Sequence, residues 1–227
     1  MAPPARRVSG VLVRWYERRD RSPDIVARWL DAARAHLPEA VPRRFGDTEP
    51  LRGRFDRDGP AALARAYADA DQLLMLDGTP PVRHASLAAP ARRRGPIAVH
   101  SLHAGAHPGD DRLRRFALAL THPGTVYVSA SAAGTPEPYV AALGDWSGLP
   151  PEPPDWCWLG APYARLAGRH LAAERVAGGL LYTGGPWVPG HLRARLSEVD
   201  PAHRHAPRMP RGLRRSTLRL IVDGLSR

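Results

Sequence analysis

Apolar residues recur along this chain either at every second position or at helical spacing, and the two periods mark out its elements. Between Val8 and Tyr16, Val11, Val13 and Trp15 share one side of a strand. Ser22, Pro23 and Asp24 follow as a capping serine, a first-turn proline and an acid. Ile25, Val26, Trp29, Leu30, Ala33 and Leu37 then line one helix face, which predicts a helix over 22–37 that ends before Pro38. The stretch from Val41 to Phe55 has too many breakers for a helix and too few apolar residues for a long strand; it reads as an ordered loop pinned by Phe45 and Phe55. A short Ala-rich helix over 60–70 and a strand over 72–76 come next. The pair Asp77-Gly78 turns the chain into a partner strand over 82–87.

The stretch from 95 to 130 is the organising unit. Ile97 and Val99 alternate with Ala98, His100 and Leu102 as a strand. The run from His107 to Asp111 breaks the chain and opens a helix over 110–121, with acids where the helix dipole favours them. Leu113, Phe116, Ala117 and Leu120 share a face of it, and Val126 and Val128 alternate with Tyr127 and Ser129 in a second strand. This βαβ-like unit echoes the first strand and helix in order, with Pro23 and Pro108 at matching points, and so suggests a two-fold internal strand–helix repeat.

Further on, a short helix is read over 138–143. The LPPEPP run at 149–154 is polyproline-like and reads either as a sub-region boundary or as a proline-rich surface crossing. A helix over 162–170 and a hairpin over 174–183, turning or bulging at Gly178-Gly179, precede a short helix over 190–199. The last helix, Met209 to Leu225, carries an apolar stripe of Leu213, Leu220, Ile221 and Leu225, which is expected to dock on the body. Beside the stripe runs an arginine row of Arg211, Arg215 and Arg219. The whole reads as one α+β domain over 8–227 behind a loose tail at 1–7. It has a mixed sheet of about 5–7 strands with helices mainly on one face.

Composition changes this picture only in part. The 227 residues, 43% hydrophobic, suffice for a sizeable core. All 33 basic residues are Arg, the signature of a GC-rich genome, so arginine content alone argues little. The net charge of +11 is uneven: Arg exceeds acids by 13 to 9 over 1–60, 8 to 7 over 61–150 and 12 to 6 over 151–227. A basic surface suits nucleic acid or an acidic protein partner. Cys157 is the single cysteine, flanked by tryptophans, and reads as a buried inert thiol. No apolar run approaches about 18 residues and the N-terminus lacks a signal-peptide core, so a cytoplasmic protein without membrane contact is expected.

Candidate chemistry is sparse. His100, His103 and His107, followed by Asp110 and Asp111, are the densest gathering of possible ligands. Their spacing on a strand and its loop does not aim three imidazoles at one point, so neither a metal nor a cofactor is expected. No nucleophile elbow and no phosphate loop is present in the sequence. Trp146, Trp156, Trp158 and Trp187 are the aromatics that a single-strand binder would stack bases on, but their apolar setting reads as core.

The Ser22-Pro23-capped helix, the loop Arg44-Phe45-Gly46 ending in Glu49-Pro50, the segment Tyr163-Ala164-Arg165-Leu166 and the run from Gly179-Leu180-Leu181 to Trp187 together resemble the bacterial immunity proteins of polymorphic toxin systems, of the immunity protein 52 kind. The resemblance runs over most of the chain. It implies a small cytoplasmic α+β domain that binds a toxin and catalyses nothing. An inhibitor of a nuclease usually offers acids, and this chain is basic, so the implied toxin is acidic or not a nuclease. Arg211, Arg215, Arg219, Arg44, Phe45 and Glu49 are the candidate partner contacts. A nucleic-acid-associated protein and an enzyme using His100, His103 and His107 are the alternative classes.

Overall fold

The computed structural model describes residues 10–19, 24–90, 97–133 and 148–193. Along them run β1 (Val11–Arg18), α1 (Ile25–His36), β2 (Arg44–Gly46), β3 (Gly53–Arg54), α2 (Phe55–Asp69), β4 (Leu73–Asp77), β5 (Val82–Ala88), β6 (Ile97–Ala104) and α3 (Asp111–Ala119). After these come β7 (Thr125–Ala132), β8 (Trp156–Leu159), α4 (Ala161–Ala167), β9 (Ala173–Val176) and β10 (Gly179–Tyr182). Ser22 and Pro23, the helix read at 138–143 and the last helix with Arg211, Arg215 and Arg219 lie outside the described residues.

All ten strands belong to one sheet, in the order β3-β2-β4-β5-β6-β1-β7-β8-β10-β9. Every ladder in it is antiparallel. The parallel relation expected of a βαβ unit survives in split form. β6 and β7 both pair antiparallel with β1, on its two sides, and so run parallel to each other with β1 between them. The strands beyond the expected number are β2, β3 and β8, of three, two and four residues, too short to show a period.

Alternation along β1 builds both faces. Val11, Val13 and Trp15 meet α1, α2 and α3 in one buried cluster, while Tyr16 joins Tyr127, Cys157, Leu159, Tyr163 and Tyr182 in another, beneath α4. Three helices therefore cover one face and the short α4 the other. At the centre of the first face, Trp15, Trp29 and Phe116 stand edge to face, with ring centroids 5.0 to 5.9 Å apart. Trp15 Nε1 donates to the Ala117 carbonyl and Trp29 Nε1 to the Ala40 carbonyl, both at 2.9 Å, so each buried indole is satisfied. Trp156 and Trp158 are buried as well and donate to the Pro108 and Val176 carbonyls.

The two strand–helix units sit side by side, β1 on β6 and α1 against α3. Each helix is capped by an aspartate. Asp24 Oδ1 accepts from Val26 and Ala27 N–H, and Asp110 Oδ1 accepts from Arg112 and Leu113 N–H. The cap of α1 is thus Asp24. In α2 the residue Gly59, at φ 73°, separates a leading turn from the helix proper, which begins at Pro60 as that residue prefers. The stretch read as a loop over 41–55 contains β2 and β3, with Gly53 packed flush on the Phe45 ring. The described part of the helix read over 190–199 is a 3-10 turn, Gly190–Leu192. The late hairpin turns one residue earlier than expected, at Ala177-Gly178. Both residues have positive φ, 50° and 76°, as a two-residue turn of the I′ kind requires.

Two outcomes check this packing. Trp29→Ala removes a 1% exposed indole from the aromatic triangle and is expected to cost about 3–5 kcal/mol in urea unfolding; a melting temperature close to that of the parent would refute the facing of α1. Ala177→Asn relieves a left-handed alanine and is expected to stabilise by about 0.5–1 kcal/mol; an unchanged or lower melting temperature would refute the turn assignment.

Candidate functional site

A buried gathering of ionisable side chains forms around Glu17, a residue the sequence patterns did not single out. The alternation that turns Val11, Val13 and Trp15 inward also turns Glu17 inward, and it is 0% exposed. At that point the β1–β7 ladder shifts register between Tyr16 and Glu17, a bulge-like irregularity that brings Glu17 opposite Thr125. Arg28, reaching down from α1, grips the carboxylate in a fork, Nη2 to Oε2 at 2.8 Å and Nη1 to Oε1 at 3.2 Å. The same guanidinium donates to the Leu120 carbonyl at the end of α3.

Two histidines complete the knot. His122 Nε2, from the α3–β7 connection, lies 3.0 Å from Glu17 Oε2, and His100 Nε2, from β6, lies 3.6 Å away. Ala88 N–H donates to His100 Nδ1 and Gly124 N–H to His122 Nδ1, both at 3.1 Å. Each Nδ1 is therefore an acceptor, which assigns the imidazole proton to Nε2, the nitrogen that faces the carboxylate. Burial by itself raises the Glu17 pKa, but the His100 and His122 contacts and the Arg28 fork outweigh it and hold the carboxyl far below the usual glutamate range. Nearby, Tyr67 on α2 donates to the Ala88 carbonyl at 3.1 Å, and burial pushes its phenol up to about 12.

The three histidines singled out in the sequence do not come together. His100 points into the Glu17 knot. His103, three residues on, lies on the opposite face of β6, its ring 4.8 Å from that of His84. Burial first, then His84 and Arg83, hold His103 below the usual histidine range. His107 sits in the loop before α3, where its Nδ1 accepts from Gly109 N–H. No group of three or more His, Cys, Asp or Glu side chains among the described residues is arranged to hold a metal ion.

The loop residues divide. Phe45 is 4% exposed and belongs to the core. Arg44 on β2 and Glu49 in the β2–β3 connection are exposed. Beside them a shallow groove of about 210 Å³ opens between the β2–β3 hairpin and the end of α2, lined by Phe45, Asp47, Arg52 and Asp69 among others. Cys157 is buried and free. No described helix is long and apolar enough to cross a membrane.

Glu17→Gln keeps the side-chain shape and leaves the Arg28 charge without its counter-charge. It is expected to cost about 3–5 kcal/mol in unfolding free energy near neutral pH. Because the folded pKa of Glu17 is lowered from 4.5, its contribution is complete above that value and is lost as the pH falls below it. The stability gap between the parent and the variant should therefore narrow on acidification. A gap that is the same near neutral pH and at about pH 3 would show that Glu17 is not an ionised anchor.

No protein-family model matches the chain, and no curated protein matches it. Among solved structures the chain is similar to one titled Pseudomonas aeruginosa T6SS protein PA0821, at 13% identity and a TM-score of 0.49, over 86% of this chain and 76% of that one.

Proposed function

We propose that this chain is a non-enzymatic protein-binding module of the cytoplasm, and that its specific role is the neutralisation of a toxin. One observation carries the reading. A set of acid and imidazole groups, Glu17 with His100 and His122, is sealed with Arg28 inside the fold, where it joins β1, β6, α1 and the α3–β7 connection. Glu17 is out of reach of a substrate, Arg28 is paired with it and the His100 and His122 Nε2 atoms face it, so these groups serve the fold and recognition is left to the surface. That surface belongs to a chain of net charge +11, which suits an acidic partner. The resemblance to immunity proteins of polymorphic toxin systems supplies the specific role. Arg44, Glu49 and the arginine row Arg211, Arg215 and Arg219 are the proposed electrostatic contacts, since guanidinium pairs with carboxylate in a fork.

The test is co-expression with the products of the genes that flank this one, each in turn. The expected result is one product that arrests growth alone, is tolerated beside this chain, and co-purifies with it in fixed ratio. Changing Arg211, Arg215 and Arg219 together to Gln should leave the melting temperature nearly unchanged. It should slow association with that product, more at low salt than at high salt. Retention of duplex DNA at physiological salt, abolished by the same triple change, would replace this reading with a nucleic-acid-binding one.

A further inference from the structure

The two margins of the sheet are finished differently. At one margin β3 is two residues long and runs straight into α2. Its Arg54 N–H donates to Asp58 Oδ2 at 2.8 Å, which caps that edge from within. At the other margin β9 pairs with β10 alone. The hairpin turns at Ala177-Gly178, so Val176 and Gly179 form the hydrogen-bonded pair that closes it, and the ladder alternates from there. Glu174 and Val176 direct their backbone groups to β10; Ala173 and Arg175 direct theirs outward. No described backbone group bonds to those outward groups. An unpaired row of this kind is a template for another strand.

The side chains limit what that strand is. Val176 packs with the cluster under α1–α3 and Ala173 with the cluster under α4. By alternation Glu174 lies on the first face and Arg175 on the second, both exposed. A second copy of β9 fits poorly. Antiparallel pairing about a two-fold axis centred on the strand sets Glu174 opposite its own copy, or Arg175 opposite its own copy, and like charges directly opposite destabilise a ladder.

We propose that the outer edge of β9 takes up an extended segment of a different protein by antiparallel strand addition. The segment carries an acidic side chain opposite Arg175 and, next along its own chain, a basic one opposite Glu174. The proposal rests on the protein-binding reading above and names its mode.

The probe is a short blocked peptide, Thr-Val-Glu-Lys-Val-Thr, titrated into the ¹⁵N-labelled full chain, with the Lys-Glu order as the control. The expected result is saturable shifts centred on the Ala173 and Arg175 amides, several-fold weaker binding of the control, and loss of binding in Arg175→Pro. That proline removes an outward N–H and no bond to β10, so the melting temperature should hold. Should Arg175→Pro fail to fold, the charge swap Glu174→Arg with Arg175→Glu serves in its place and is expected to invert the preference between the two peptides. Shifts absent from β9, equal binding of both peptides, or a wild-type dimer that protects the Ala173 and Arg175 amides would each overturn the proposal. A partner protein that binds the parent and Arg175→Pro alike would reject this edge while leaving the protein-binding reading intact.

Discussion

An ionised carboxylate with no exposure to water has to be matched where it lies, and Glu17 imposes that condition on four separate parts of the chain. An unmatched buried charge costs several kcal/mol, of the order of a small domain's whole stability. Arg28 supplies the charge, and its position on α1 fixes that helix over β1. The Leu120 carbonyl takes another of its donors and ties the end of α3 to the same point. His100 and His122 add Nε2 contacts, and each is held in orientation by a backbone N–H. Hydrophobic burial would tolerate small slips between these elements; the Arg28–Glu17 fork, with its fixed donors and acceptors, does not.

Next to the knot lies the apolar counterpart of the same constraint. Trp15 is two residues before Glu17 on the same side of β1, and it meets Trp29 of α1 and Phe116 of α3, the same two helices that the Arg28 guanidinium joins. The indole N–H groups recur as clamps. Trp15, Trp29, Trp156, Trp158 and Trp187 each donate to a backbone carbonyl distant in sequence. A residue that could have stacked a nucleobase is thereby spent on fixing one segment against another, which is why the described tryptophans argue for architecture and not for nucleic-acid binding.

Much of the fold was legible because the patterns were long. The period of β1, the amphipathic runs of α1 and α3 and the alternation of β6 and β7 all translate into observed elements, and the echo between the two strand–helix units corresponds to their side-by-side placement. The short strands were not legible. Phe45 and Gly53 pair across β2 and β3 through tertiary contact with β4 and α2, and two or three residues carry no period of their own. The turn in the late hairpin lies one residue before Gly178-Gly179, because Ala177 adopts the positive φ and Gly179 is needed against Trp158. The Glu17 knot was legible in part: a charged residue at the next inward position after Val11, Val13 and Trp15 is itself the signal. Arg28 and His122 were not, because only the packing of α1 on α3 brings them to the carboxylate. The separation of His100, His103 and His107 was legible in their spacing, since residues three apart on a strand face opposite ways and His107 lies in the loop beyond.

A fold stabilised by a sealed acid–base knot depends on Glu17 remaining a carboxylate inside the protein. The ¹³C chemical shift of the Glu17 carboxyl, followed as the pH is lowered from neutral, reads that state directly. The expected result is a carboxylate shift that persists throughout the folded range, well below the pH at which an ordinary glutamate takes up its proton, and changes only as the chain unfolds. A Glu17 that titrates like a surface glutamate while the protein stays folded would contradict the account.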